Sequence, residues 1–345
     1  MTIKVLVTGG TGFIGSHTAV ELLNNGYEVV IADNLSNSHE NVLAGIAAIT
    51  HKNPFFSKTD LQNKEELALL FAEHPDIKAV IHFAALKAVG ESVENPLLYY
   101  RNNLVSLLNL LELMADNQIQ HIVFSSSCTV YGEPDSLPVS ENAPVKKAES
   151  PYGNTKKMAE DILADTCRAS ALNCVSLRYF NPTGAHPSAL IGELPIGTPN
   201  NLMPLITQTA IGKRNKITVY GDDYPTPDGT CIRDYIHVAD LANAHVVALE
   251  RMLNARQKSN YEIFNLGTGK GYSVLETIKT FEKVTGQKLN YEIGTRRKGD
   301  VIAVYADTEF ANKELGWKAE LDLADMVSTA WNWEKHLALT EKEEK

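Results

Sequence analysis

K-V-L-V-T-G-G-T-G-F-I-G, residues 4–15, decides the fold. A short apolar run ends at Gly9, Gly12 and Gly15, spaced G-x-x-G-x-x-G, and a segment with Val20 and Leu23 at helical spacing follows. A strand that turns straight into a helix leaves the first helical N–H groups without partners, and glycines let a pyrophosphate approach them where the dipole favours negative charge. The next apolar run, Y-E-V-V-I-A at 27–32, leads into Asp33, 18 residues beyond Gly15. A carboxylate at the end of a second strand accepts hydrogen bonds from adenosine ribose hydroxyls and repels a 2′-phosphate, so the expected cofactor is NAD rather than NADP. Asp60, after the third run, falls either where adenine would lie or in a simple turn.

Further runs, F-F-S-K (55–58), A-V-I-H-F-A (79–84), H-I-V-F-S-S (121–126) and C-V-S-L-R-Y (174–179), alternate with segments of helix length. Nearly continuously apolar strands call for a parallel sheet covered on both faces, hence an α/β fold with a Rossmann-type doubly wound sheet. Residues 1–180 are expected to form the NAD-binding domain, and 181–345 mainly a smaller α/β substrate domain, with a strand near 261–266 returning to the large sheet. After Tyr179 the Gly/Pro/Asn/Asp clusters F-N-P-T-G-A-H-P, G-E-L-P-I-G-T-P-N-N and G-D-D-Y-P-T-P-D-G-T read as binding loops. Helical patterns resume at 238–255, 273–285 and 322–338. The segment Asn95–Asn117 reads as one helix, too apolar for an ordinary surface. It either packs against a second subunit, giving a homodimer, or lies deep within its own chain.

The chain has 345 residues, 44% hydrophobic and 21% charged, with a formal net charge of −10. That balance disfavours attraction to nucleic acid or anionic membrane, so an anionic ligand needs locally placed cations. Four cysteines (Cys128, Cys167, Cys174, Cys231) without C-x-x-C spacing read as thiols of a reducing compartment, and no metal site is implied. No apolar stretch approaches the roughly 20 residues needed to span a bilayer. The expectation is a cytoplasmic protein.

S-P-Y-G-N-T-K at 150–156 places Tyr152 and Lys156 four apart on one helix face, after a proline suited to a first helical turn. Upstream, S-S-S-C-T-V-Y-G sets Ser125, Ser126, Ser127 and Thr129 at the carboxyl end of a strand, where ligands of doubly wound folds bind. A tyrosine with its usual pKa of about 10 is almost wholly protonated at neutral pH and so is not available as a base. A nearby ammonium and an oxidised nicotinamide would both favour the phenolate.

These motifs resemble the extended short-chain dehydrogenase/reductases, and the similarity to the UDP-galactose (UDP-glucose) 4-epimerases among them extends over nearly the whole chain. Segments carrying it include H-F-A-A-L-K-A-V-G-E-S-V, F-S-S-S-C-T-V-Y-G, L-R-Y-F-N-P-T-G-A-H, P-N-N-L-M-P, R-D-Y-I-H-V-A-D-L-A and Y-E-I-F-N-L-G-T-G. The resemblance implies NAD-dependent inversion at C4 of a UDP-hexose through a transient 4-keto sugar. It implies Tyr152 as acid/base, Lys156 on the nicotinamide ribose and Ser127 on the sugar hydroxyl. Around NAD it places Gly9, Gly12, Phe13, Ile14, Gly15, Asp33, Asn34, Asp60, Leu61, Phe83, Ala84, Ala85, Lys87, Asn102, Ser125 and Tyr179, with Tyr152 and Lys156. For the UDP-sugar it implies Lys87, Ser127, Tyr152, Asn181, Asn201, Leu202, Thr218, Tyr220, Arg233, Arg297, Asp300 and Val304. Arg233 and Arg297 are the cations that an acidic chain needs for a diphosphate.

Three related readings compete. A 4,6-dehydratase shares the first oxidation, but the resemblance implies an Asp-Glu pair after the strand-end Thr, where this chain has Ser127-Cys128-Thr129. A plain dehydrogenase and a non-catalytic NAD-binding protein are the others. Against the epimerase pattern, Cys128 stands where alanine is common and Cys231 where glycine is. By the resemblance, Val304 aligns with the position that gates the sugar pocket in that family, and a residue smaller than tyrosine there implies room for an N-acetyl group.

Overall fold

The structure, a computed structural model, describes residues 2–297 and 300–343. Strands β1 (Lys4–Thr8), β2 (Glu28–Asp33), β3 (Phe55–Lys58), β4 (Ile77–His82), β5 (His121–Ser127) and β6 (Asn173–Tyr179) match the apolar runs to within two residues. Five short strands follow or flank the loops: β7 (Asn181–Thr183), β8 (Ile217–Tyr220), β9 (Ile232–Arg233), β10 (Tyr235–His237) and, back in the main sheet, β11 (Tyr261–Leu266). The last three are β12 (Tyr272–Ser273), β13 (Tyr291–Gly294) and β14 (Ala303–Val304). The main sheet is seven-stranded and parallel, ordered β11-β6-β5-β4-β1-β2-β3. Its order reverses between β1 and β4, which opens a crevice at the carboxyl ends of those strands.

The helices are α1 (Phe13–Asn24), α2 (Val42–Thr50), α3 (Lys64–Glu73), α4 (Val89–Glu94), α5 (Pro96–Tyr100), α6 (Ser106–Asp116), α7 (Pro151–Ala169), α8 (Leu202–Ala210), α9 (Val238–Leu253), α10 (Val274–Thr285) and α11 (Leu323–Glu343). Alternation along each strand sends side chains to opposite faces, so the sheet needs two apolar layers. Val5, Val7, Ile31 and Ile81 pack with Val20 of α1 and Leu241 and Leu249 of α9. Leu6, Val30, Val80 and Ile122 pack with Leu67 of α3, Leu110 and Met114 of α6 and Leu163 of α7. A further core joins α8, β8, α10 and α11 through Ile206, Val219, Phe281 and Met326.

The Asn95–Asn117 segment differs from the single regular helix expected. A wider turn over Arg101–Val105, of π type, separates α5 from α6. Its apolar content also divides: Leu107, Leu110 and Met114 are buried, whereas Leu97 is 81% and Leu98 48% exposed.

Behind the sheet edge lies a buried ion pair. Arg178 on β6 donates from Nε and Nη2 to both oxygens of Glu160 on α7, at 2.9 and 2.6 Å. Ser126 on β5 donates to the same carboxylate, and Nη1 of Arg178 donates to the Tyr131 hydroxyl, which in turn donates to Asn265 on β11. Among the described residues no helix is long and apolar enough to cross a membrane, and the four cysteines are free thiols.

Candidate active site at the strand ends

The glycine turn is built by close approach. Gly9 holds φ at +70° at a point where a side chain would meet the backbone N–H of Ala84 at 2.8 Å. A Cβ on Gly15 would run into the Gly9 carbonyl, so the start of α1 is pressed against the turn. Gly12 caps α1 without a side chain. The open helix end, with Phe13, Ile14 and Gly15 in its first turn, is chemically suited to a pyrophosphate. Asp33 closes one side, accepting from Thr11 N at 3.2 Å, Leu35 N at 2.9 Å and Ser38 Oγ at 3.0 Å. Asn34 accepts from Ser36 N and Asp60 from Gln62 N, each closing a local turn. Leu61 is buried next to Asp60. A backbone that only glycine fits, a first helical turn with no side-chain cap and a carboxylate at the end of β2 together fit a dinucleotide.

The crevice floor comes from the segment after β4. Phe83 N and Ala84 N donate to the carbonyl and hydroxyl of Thr8, which fixes Phe83–Ala85 beside the glycine turn. Asn103, from the wide turn, is buried and clamps Leu86 in both directions: its Nδ2 donates to Leu86 O at 3.0 Å and its Oδ1 accepts from Leu86 N at 2.9 Å. The same amide donates to Thr155 Oγ1 at 3.0 Å and accepts from Asn102 Nδ2 at 2.9 Å. Thr155 in turn donates to the carbonyl of Tyr152. Asn103 was not expected from the sequence; a second asparagine beside Asn102 carries no signal until the wide turn buries it.

On the other side of the crevice, α7 starts at Ser150, whose hydroxyl accepts from Gly153 N, with Pro151 at the first helical position. This cap sets Tyr152 within hydrogen-bonding reach of Ser127 at the end of β5. Burial pushes the Tyr152 phenol up to about 12, against the opposing effect of the Ser127 hydroxyl. Lys156 is buried, donates from Nζ to Ser125 O at 2.6 Å and lies 4.9 Å from the centre of the Phe124 ring. Burial lowers its ammonium to about 8, with Glu160 opposing. In the chain alone, then, burial governs Tyr152. Ser125 and Tyr179 share a short hydrogen bond between their hydroxyls.

The segments after β6 carry most of the remaining expected residues. Asn181 lies on β7, paired with β10. Asn201 is the N-cap residue of α8 and Leu202 its first residue. Arg233 on β9 donates from Nη1 to Val301 O at 2.7 Å, and Asp300 lies 4.0 Å from its Nη2 and 2.8 Å from Arg297 Nη2. Arg297 lies over the Tyr220 ring at 5.4 Å. Val304 is buried and pairs in register with Arg233. Thr218 is engaged with Glu292 of the neighbouring strand β13. Lys87 faces Glu193 at 3.6 Å, another residue that no sequence motif marks. Cys128 lies near Tyr152 and Arg233, and burial pushes its thiol up to about 12.

A doubly wound sheet with a glycine turn at β1 and a Ser/Tyr/Lys group at the end of β5 defines an extended short-chain dehydrogenase/reductase. The profile of the family described as GDP-mannose 4,6 dehydratase matches residues 6–330. The chain is 52% identical to the UDP-glucose 4-epimerase of Bacillus subtilis (strain 168), over 96% of this chain and 97% of that one. A crystal structure of UDP-glucose-4-epimerase from Stenotrophomonas maltophila with bound NAD and formylated UDP-arabinopyranose superposes with a TM-score of 0.94 at 49% identity, covering 98% and 99% of the two chains. The UDP-Glc/GlcNAc 4-epimerase from Campylobacter jejuni superposes with a TM-score of 0.83 at 36% identity, covering 97% and 99%. The chain belongs to the UDP-glucose 4-epimerase family.

The depressed Lys156 pKa has a consequence for stability. Its ordinary value is 10.5 and its folded value about 8, so between those pH values the unfolded chain binds more protons and stability rises with pH. Below about pH 8 the cost of burying the ammonium is present in full. The stability of wild type relative to Lys156→Met should therefore improve by on the order of 2 kcal/mol between pH 8 and 10, measured by chemical denaturation. A pH-independent difference would contradict the shift.

Proposed function

We propose that the chain interconverts UDP-galactose and UDP-glucose by inverting C4 of the sugar while the UDP part stays bound. The observation that carries this reading is the Ser127–Tyr152–Lys156 group at the end of β5, with Ser127 and Lys156 buried and Tyr152 partly so, between an NAD-type glycine turn and Arg233. NAD, when bound, supplies a reversible hydride acceptor and, in its oxidised form, a positive charge beside the phenol. Gly9, Gly12, Gly15 and Asp33 hold that cofactor, with Lys156 on its ribose.

As phenolate, the form that an oxidised cofactor's positive charge would favour, Tyr152 takes the O4 proton as C4 is oxidised, and as phenol it returns that proton when the 4-ketose is reduced on its other face. Ser127 orients O4 towards the phenol. Arg233 and Arg297 grip the diphosphate through guanidinium forks, with Asn181, Asn201 and Leu202 completing the UDP site. A firm grip on UDP combined with a roomier sugar pocket lets the ketose turn without leaving. Elimination to a 4-keto-6-deoxy sugar is disfavoured, because the position after Ser127 holds a thiol with its pKa pushed up to about 12 rather than a carboxyl acid or base. Purified protein given UDP-galactose and no added cofactor should form UDP-glucose, and denaturation should release NAD. Tyr152→Phe should retain NAD and lose at least 100-fold in kcat. Turnover within tenfold of wild type would remove Tyr152 from the proton transfer.

Val304 supports a second, N-acetylated substrate pair. It forms a small apolar wall with Val130, Tyr131 and Phe180 in the register next to Arg233. We extend the activity to UDP-GlcNAc and UDP-GalNAc on that ground. Val304→Tyr should reduce kcat/KM for the N-acetylated pair at least tenfold more than for UDP-galactose; equal losses would refute the pocket argument.

The exposed side of α4–α7 supports a homodimer. Val89, Val93, Leu97, Leu98, Leu108 and Met158 together leave an apolar patch in solvent, more than single exposed residues account for. A cytoplasmic setting agrees with four free thiols. Sedimentation should give twice the chain mass, and Leu97→Glu should shift it towards one chain. A wild type that sediments as one chain would rule out the dimer.

A further inference from the structure

Arg233 and Val304 lie side by side, in register on β9 and β14. The residue that holds this pair in place is the next one along. Asp234 is fully buried in the short gap between β9 and β10. Its backbone N–H donates to Val304 O at 3.1 Å, and its carbonyl accepts from Asn181 N at 2.9 Å.

Both oxygens of its carboxylate are used. Oδ1 accepts from the backbone N–H and the hydroxyl of Thr268, at 2.9 and 2.7 Å. Oδ2 accepts from Gly269 N at 3.1 Å and from Ala306 N at 3.0 Å. Thr268 and Gly269 belong to the segment that leaves β11, the edge strand of the main sheet. Gly267 in that segment lies so close that a Cβ there would run into Oδ2. One residue therefore holds Val304 from two directions: its N–H takes the Val304 carbonyl, and its carboxylate takes the N–H two positions further on. A buried carboxylate is costly unless it is hydrogen-bonded, and bonds to an ionised acceptor are about twice as strong as neutral ones. Four converging donors make this a strong and directional tie.

We propose that Asp234 is a positioning residue, whose carboxylate ties the Val304 wall of the sugar pocket to the end of β11 and so fixes the space in which the 4-ketose turns. This deepens the reading of Val304 as a sugar-pocket wall and rests on it. Asparagine at the same place keeps the shape but has one oxygen fewer, so in either orientation of its amide two of the four donors face an NH2 group. Arg233 keeps its own bonds to the carbonyls of Ile232 and Val301, which do not involve the carboxylate, so the grip on the diphosphate should survive.

The test measures kcat/KM for UDP-galactose and calorimetric affinity for UDP in the NAD-loaded protein, with Asp234→Asn made alone and in a Val304→Ala background. Asp234→Asn alone should lower kcat/KM by about fivefold or more, while UDP affinity and bound NAD change by less than about twofold. Once the Val304 side chain is cut back there is little wall left to position, and Asp234→Asn should then cost less than about twofold. A residue that merely stabilises the fold would show its full loss in both backgrounds. Asp240→Ala serves as the comparison for stability, because Asp240 on α9 also accepts from two backbone N–H groups, those of Glu320 and Leu321 at 3.0 and 2.9 Å. It should lower the denaturation midpoint and leave kcat/KM within about twofold of wild type. A smaller loss in Asp234→Asn, a larger one in the Val304→Ala background, a UDP affinity that falls as far as kcat/KM, or an equal loss in Asp240→Ala would each overturn the proposal. Should Asp234→Asn fail to fold, Thr268→Val, which removes one of the four donors, decides: a loss of about twofold or more that disappears in the Val304→Ala background supports the proposal, and any other result overturns it. A wild type that does not turn over UDP-galactose would instead defeat the functional reading itself.

Discussion

The site depends on the buried pairing of Glu160 with Arg178. Taking two charges out of water costs several kcal/mol per ion, and this is offset only when geometry and further hydrogen bonds are good. Both conditions hold here: the guanidinium meets the carboxylate with two nitrogens, Ser126 satisfies the carboxylate further, and Tyr131 takes the remaining guanidinium direction. Because Glu160 is on α7, Arg178 on β6 and Ser126 on β5, the pairing fixes the height and rotation of α7 over two strands. One turn earlier on the same helix, Lys156 reaches the Ser125 carbonyl. A slip of α7 would unpair a buried charge, so the Tyr152–Ser127 geometry has a large energetic penalty behind it.

The opposite wall uses close packing. The glycine turn has no room for side chains against Ala84, and the segment holding Ala84 is tied to Thr8 on β1. Asn103 then connects that segment to α7 through Thr155, whose hydroxyl donates to the Tyr152 carbonyl. One buried amide thus links the cofactor side of the crevice to the acid/base side. A π-type turn, a feature often found at functional sites, is what buries Asn103 while Asn102, beside it, stays partly exposed.

The strands of the main sheet and the glycine turn were legible because each is a local pattern: an apolar run, a turn residue at fixed offset, a helix start. Tyr152 and Lys156 were legible by spacing, and Ser127 by its place at a strand end. What was not legible depends on which loops meet. The segment Asn95–Asn117 reads as one helix because hydrophobic period does not encode an inserted π turn, and whether a leucine faces the sheet or solvent follows from α7 packing beside it. Asn103 and Glu193 make contacts with Leu86, Thr155, Lys87 and Asn201, and no spacing rule connects those positions. The direction of the Tyr152 shift in the chain alone was not legible either, because it follows from how deeply the phenol is set, whereas the lowering read from the sequence requires the oxidised cofactor as well.

Burial acts oppositely on the two groups, raising the phenol to about 12 and lowering the ammonium to about 8, because in each case it penalises the charged form. At neutral pH the phenol is therefore fully protonated while the lysine is still largely charged. A phenol in that state gives up its proton only when positive charge is brought close, and takes it back readily when that charge is neutralised. The chain's own side chains thus hold Tyr152 as the acid that can return a proton to a 4-keto oxygen, and the positive charge of an oxidised nicotinamide is what would make it the base that removes one.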